Sequence, residues 1–240
     1  MDVVLTTSEA DWKLWADQYA KRQPTGRKSI VVTVGTSAAA AKGAIIDAIS
    51  KAGAGGQLIL SVGHGVSLDD APADGLCELA PGGLITLVGR NNRPAHPKSG
   101  AVVINVFYDQ SANAGQPSDL EFDTKNNPDS QRLKDWAFYQ EIAKAMRGGG
   151  LAGVVLLTCR LGNATDFLKK VAADWGVKLI AYTKRVANSV DTYKESGKPD
   201  KVTAYVHLEG EVFPKPEPTG AAQNVKASEE IPDRNSISVP

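Results

Sequence analysis

Hydrophobic positions along the chain fall into two alternating kinds, short unbroken runs and longer stripes of helical spacing. Residues 29–34 (Ser-Ile-Val-Val-Thr-Val) are β-branched and too few for a helix, the pattern of a buried strand. Before them, Ser8 is a capping residue followed by Glu9 and Asp11, and Trp12, Trp15 and Tyr19 recur at i, i+3 and i+7. That spacing predicts a helix docked by its aromatic face, broken by Gln23-Pro24-Thr25-Gly26. Residues 1–27 are therefore expected to be an N-terminal helix packed on the core, and 29–34 the first core strand.

After Gly35-Thr36-Ser37, an Ala-rich stretch carries Ile45, Ile46 and Ile49 at helical spacing and stops at Gly53. Residues 57–62 (Gln-Leu-Ile-Leu-Ser-Val) then form a second buried run, ending at Gly63-His64-Gly65. Strand, helix and strand in about 30 residues make a right-handed βαβ unit and so a parallel sheet. Residues 76–79 and 84–88 flank Ala80-Pro81-Gly82-Gly83 as a hairpin, and 101–108 read as a further strand. The polar stretch 109–129 reads as a long loop. Ser130 caps a helix bearing Trp136, Tyr139, Ala143 and Met146, ended by Gly148-Gly149-Gly150.

A strand at 152–158, a helix presenting Leu168, Val171, Ala172 and Trp175, and a strand at 177–183 form a second βαβ unit. Residues 202–208 alternate as an edge strand, and 209–240 are a polar Pro/Glu-rich tail. The expected fold is α/β, a three-layer αβα sandwich with a mostly parallel central sheet over residues 28–208.

Composition narrows the classes further. With 240 residues, 42% hydrophobic and 22% charged, the chain suits one large soluble domain. Lys plus Arg and Asp plus Glu both number 27, so no net field draws it to nucleic acid or anionic lipid. No apolar run approaches membrane-spanning length, and the start lacks the basic-then-apolar order of a signal peptide. A cytoplasmic protein without nucleic-acid or membrane partners is expected. Cys77 and Cys159 are too few for a disulfide framework and are not spaced as a metal pair.

Two residues stand where chemistry is easiest. His64, in Ser61-Val62-Gly63-His64-Gly65, and Cys159, in Thr158-Cys159-Arg160-Leu161-Gly162, each follow an apolar strand. Loops and helix N-termini converge at the carboxyl ends of a parallel sheet and form its ligand crevice. A cysteine ahead of a helix gains anion stabilisation from unpaired N–H groups, and a nearby imidazole can take its proton. Gly63 and Gly65 permit a sharp turn and close approach of a carbonyl, and the backbone N–H groups of Gly65 and Cys159 are candidate oxyanion donors. Against this stands a plainer view, in which Cys159 is a small core hydrophobe and His64 a turn residue.

Asp69, Asp70 and Asp74 could line a pocket for a basic side chain or bind Ca²⁺, although a solvated turn is the favoured reading. His96, His207 and Cys77 read as structural. Gly35-Thr36-Ser37 could hold a phosphate at a helix N-terminus but matches neither Gly-rich nucleotide motif.

An apolar strand ending in His-Gly, followed much later by an apolar strand ending in Cys, resembles the caspase-like (clan CD) cysteine peptidase superfamily. That superfamily includes caspases, metacaspases, legumains, gingipains, separases and the CHAT-type proteases. The Cys-x-x-Gly of Cys159–Gly162 is similar to CHAT and gingipain-like members, and the likeness covers residues 28–208 in order of elements. It implies a cysteine endopeptidase without cofactor or metal. His64 would be general base or acid, Cys159 would form a thioester acyl-enzyme, and the partners would be a protein or peptide substrate and a regulatory protein.

It also implies that Tyr182 and Thr183 build one wall of the specificity pocket and that the 109–129 stretch is a site of self-cleavage or activation. Leu157-Thr158, with no acid before the cysteine, depart from the metacaspase pattern and leave the preferred substrate residue open. Two alternatives differ in class. One is a catalytically silent scaffold on the same fold. The other is a flavodoxin-like or Rossmann-like ligand binder, suggested by the βα alternation.

Overall fold

The computed structural model describes residues 1–21, 28–67, 74–92, 99–183, 186–193, 201–208 and 212–213. Its central sheet is built from β1 (Asp2–Thr6), β2 (Ser29–Thr33), β3 (Gln57–Ser61), β8 (Gly153–Leu156), β9 (Leu179–Tyr182) and β12 (Val212–Phe213). They lie in the order β12-β9-β8-β3-β1-β2. β1, β2, β3, β8 and β9 run parallel to one another and β12 runs antiparallel to β9. The helices are α1 (Ala10–Lys21), α2 (Ala38–Ala52), α3 (Asp119–Asn126), α4 (Gln131–Gly149) and α5 (Thr165–Trp175). None of the described helices is long and apolar enough to cross a membrane.

This is the expected α/β sandwich, and its layers follow from strand alternation. Val3 and Leu5 of β1, Leu58 and Leu60 of β3, Val154 and Leu156 of β8, and Leu179 and Ala181 of β9 stand side by side in register. They form one cluster with Ile45 and Ile49 of α2, Tyr139, Ile142 and Met146 of α4, and Leu168 and Trp175 of α5. The chain steps from β1 outward to β2 and back past β1 to β3. Right-handed crossovers then put α1 and α2 on opposite faces. Accordingly α1 packs on β1 and β2, beside the two-stranded ribbon of β10 (Val186–Tyr193) and β11 (Lys201–Leu208).

Four expectations are corrected. The strand at 29–34 is not the first of the core. Residues 2–6 form β1, fully buried between β2 and β3, with Asp2 Oδ1 accepting from the Gln57 N–H at 2.7 Å. Its ladder partners lie far along the chain, so nothing local in the sequence marks it as central. The 109–129 stretch is not all loop, because α3 stands within it. Ser118 and Glu121 there close a capping box in which each side chain bonds the other's backbone N–H. The tail beyond residue 208 contributes β12 to the main sheet. The strand at 202–208 joins the separate ribbon instead of the sheet edge.

A smaller sheet projects from the carboxyl end of β3. It comprises β4 (Gly65–Ser67), β5 (Gly75–Ala80), β6 (Ile85–Val88) and β7 (Val102–Asn105), in that order. The predicted hairpin is β5–β6, turned by Pro81-Gly82-Gly83 with Gly82 and Gly83 in the left-handed region (φ 60° and 72°). Cys77 of β5 is buried, and burial above all, with help from the neighbouring Glu78 charge, pushes its thiol up to about 12. It is a packing residue, as its sequence context suggests.

Candidate active site

β3 and β8 are adjacent and parallel, with Leu60 opposite Leu156 and the Leu157 N–H donating to Leu60 O at 3.0 Å. His64 and Cys159 follow these strands by a few residues each, so neighbouring strand ends about 4.8 Å apart carry them to one edge of the sheet. The two turns touch. A Cβ built on Gly65 would lie 2.6 Å from Cβ and 2.8 Å from Oγ1 of Thr158. The residue after His64 thus packs directly on the residue before Cys159.

The glycines serve close approach and not an unusual backbone, since neither Gly63 nor Gly65 lies in the left-handed region. A Cβ on Gly63 would meet Cβ and Oε2 of Glu78 at 2.5 Å. The Glu78 carboxylate fills that space and accepts the His64 N–H at 2.9 Å, while the Glu78 N–H donates to His64 O at 2.9 Å. That second bond makes Gly65 and Cys77 a non-hydrogen-bonded pair of the β4–β5 ladder. The Gly65 N–H is consequently directed away from β5, toward the outer side of the small sheet.

His64 is exposed and Cys159 half-buried, in no disulfide. Among the described residues no hydrogen bond of the His64 ring occurs. Catalytic hydrogen bonds commonly tighten only with substrate bound. Arg160, immediately after Cys159, is the one non-glycine described residue in the left-handed region (φ 59°). It reverses the chain into a short 3₁₀ turn at Leu161–Asn163, and α5 begins only at Thr165. The helix terminus expected directly behind Cys159 is therefore set back from it. Such residues cost of order 1–3 kcal/mol and persist where the surroundings hold them, often at functional sites.

Gly162 packs against the end of β9, where a Cβ would stand 2.7 Å from Tyr182 C and 2.8 Å from Thr183 N. Asn163 Nδ2 donates to Thr183 O at 2.7 Å. The Cys159 turn is thereby fastened to β9. Thr183 is half-buried, whereas Tyr182 is 2% exposed and its hydroxyl is held above its ordinary value by burial. Thr158 is buried (2% exposed), and its Oγ1 has no hydrogen-bond partner among the described residues.

Asp69, Asp70 and His96 lie outside the described residues, as does the side chain of His207. Asp74 is buried and its Oδ1 accepts from the Asn91 N–H at 3.0 Å, which ties the small sheet's loops together. Ser37 caps α2 by accepting from the Ala40 N–H at 3.2 Å, so Gly35-Thr36-Ser37 has a structural task. Among the described residues there is no group of three or more His, Cys, Asp and Glu able to hold a metal.

Glu78, Thr158 and Arg160 escaped the sequence reading. Only Glu78 left a trace, as an acid in the middle of the otherwise apolar strand Gly-Leu-Cys-Glu-Leu-Ala, where it alternates outward. Comparison with known proteins finds no matching family model, curated protein or solved structure.

Proposed function

We propose that this protein is a cysteine endopeptidase in which Cys159 and His64 act as a dyad, in the manner of the caspase-like peptidases its two strand-end blocks resemble. The observation that carries the proposal is the packing of Gly65 on Thr158, which joins the His-Gly turn to the Thr-Cys turn at adjacent parallel strand ends. Cys159 Sγ, as thiolate, adds to the scissile carbonyl carbon, and the oxygen takes up the charge near the outward-directed Gly65 N–H and the Cys159 N–H. Collapse of that adduct breaks the C–N bond, with the His64 imidazolium giving its proton to the departing amine. The remaining thioester is cleared by water, whose proton passes to His64 and then to the Cys159 leaving group.

The substrate class is protein or peptide. Thr183, half-buried at the end of β9 and fastened to the Cys159 turn, supports a pocket wall there, while the buried ring of Tyr182 belongs to the core. The test uses a thiol-reactive acylating probe on wild type, Cys159→Ala and His64→Ala, together with cleavage of a peptide library. Wild type should be labelled at Cys159 and should cut, and both variants should lose cutting by about 10³-fold or more. Labelling and cutting that survive His64→Ala unchanged would overturn the dyad.

A second reading is a catalytically silent scaffold. It is favoured by the His64 ring, which stands exposed without a hydrogen bond among the described residues, and it predicts labelling of Cys159 indifferent to His64.

A further inference from the structure

His64 is a surface residue, yet both polar groups of its backbone are held by one partner. The Glu78 N–H donates to its carbonyl and the Glu78 carboxylate accepts its N–H, each at 2.9 Å. The carbonyl bond belongs to the β4–β5 pairing and would form with almost any residue at position 78. The carboxylate bond is different, because it needs a side-chain acceptor of this reach at 78 and a glycine at 63. A Cβ at Gly63 would sit 2.5 Å from both Cβ and Oε2 of Glu78. A charge-assisted bond of this kind is shorter and stronger than a neutral one. Here it is spent on an exposed turn outside the strand ladder, where fold stability gains little.

We propose that Glu78 is the positioning residue of the His64 turn, its carboxylate pinning the His64 peptide so that the imidazole is presented beside Cys159 and the Gly65 N–H faces the reacting carbonyl. This rests on the peptidase reading above. Glu78 touches neither substrate nor the reacting atoms. It acts by fixing the backbone on either side of the residue that does, and without it the turn samples orientations in which imidazole and donor are not aligned together. Misplacement by about 1 Å can cost on the order of 10²-fold in rate.

The experiment compares wild type with Glu78→Ala, Glu78→Asp and Glu78→Gln, measuring kcat and KM on a cleaved peptide, the melting temperature, and amide hydrogen exchange at His64. Glu78→Ala and Glu78→Asp should lower kcat by roughly 10- to 100-fold with KM within about twofold. Glu78→Gln keeps an acceptor of the same reach and should restore most of kcat. His64 amide exchange should accelerate in the Ala and Asp variants and stay slow in Gln. If Glu78→Ala does not fold, Glu78→Asp carries the comparison, since it keeps the charge and only withdraws it.

Values of kcat within twofold of wild type in the Ala and Asp variants, or a Gln variant as impaired as Ala, would overturn the proposal. Wild type that neither cuts peptides nor takes the probe at Cys159 would overturn the peptidase reading instead. In that event faster His64 exchange in Glu78→Ala and Glu78→Asp, but not in Glu78→Gln, would support the clamp by itself, and unchanged exchange would overturn it too.

Discussion

At the scale of single residues, the site is made by side chains that are missing as much as by those present. Gly65 leaves the space that Thr158 fills, so Gly65→Ala should force the two turns apart and cost about 1–3 kcal/mol, read from denaturant unfolding. Thr158 itself buries a hydroxyl that has no partner among the described residues, and an unsatisfied buried polar atom is a liability. Thr158→Val keeps the shape and removes the liability, so its unfolding midpoint should rise, by about 1 kcal/mol in stability.

The two thiols differ in environment. Cys77 is buried and its thiol pushed up to about 12, whereas Cys159 is half-buried. Iodoacetamide at neutral pH should modify only Cys159 in the folded protein and both cysteines in denaturant, as intact mass would show. A raised thiol pKa means that the folded state keeps a proton the unfolded chain releases. The stability this provides is full below pH 9.0 and is lost as pH climbs from 9.0 to about 12. Tyr108, raised from 10.0 to about 12 by burial and then by its bond to Asp123, works in the same direction. Cys77→Ala should therefore lose less stability between pH 8 and pH 11 than wild type, with part of the loss remaining.

At the scale of elements, the polar stretch before α4 is organised by one buried acid. Asp123 of α3, 1% exposed, accepts from Tyr108 Oη at 2.5 Å, Arg132 Nη2 at 2.7 Å and Ser130 Oγ at 3.4 Å. It ties the end of the small sheet to the start of α4. Asp123→Ala leaves these donors unmatched and should cost about 2–4 kcal/mol by denaturant unfolding. In the sequence this segment reads as loop because its residues are polar. The acid that pins it is one such residue, and only packing distinguishes it from its solvated neighbours.

At the scale of the whole molecule, β1 is the strand on which the fold turns. It lies between β2 and β3, contributes Val3 and Leu5 to the main cluster, and exposes none of its residues. Deleting residues 1–7 should abolish cooperative folding, as circular dichroism and amide dispersion would show, although the sequence assigns those residues no part in the sheet. The order of the other strands determines the site in the same way. β3 and β8 lie ninety or more residues apart in the chain and become neighbours only through the crossover by α4.

The sequence by itself determined the local matters. β-branched runs made strands, helical stripes made α2, α4 and α5, and the two motifs placed His64 and Cys159 after apolar strands. These follow from periods of two and 3.6 residues, which are properties of adjacent positions. What only the tertiary structure decided depends on residues distant in the chain. It set β1 at the centre of the sheet, packed Gly65 on Thr158, threw Arg160 into the left-handed region, and laid Glu78 across Gly63 to hold His64. None of these carries a periodic signal, and the contacts among them join segments distant in the chain, so they exist only once the sheet has been assembled.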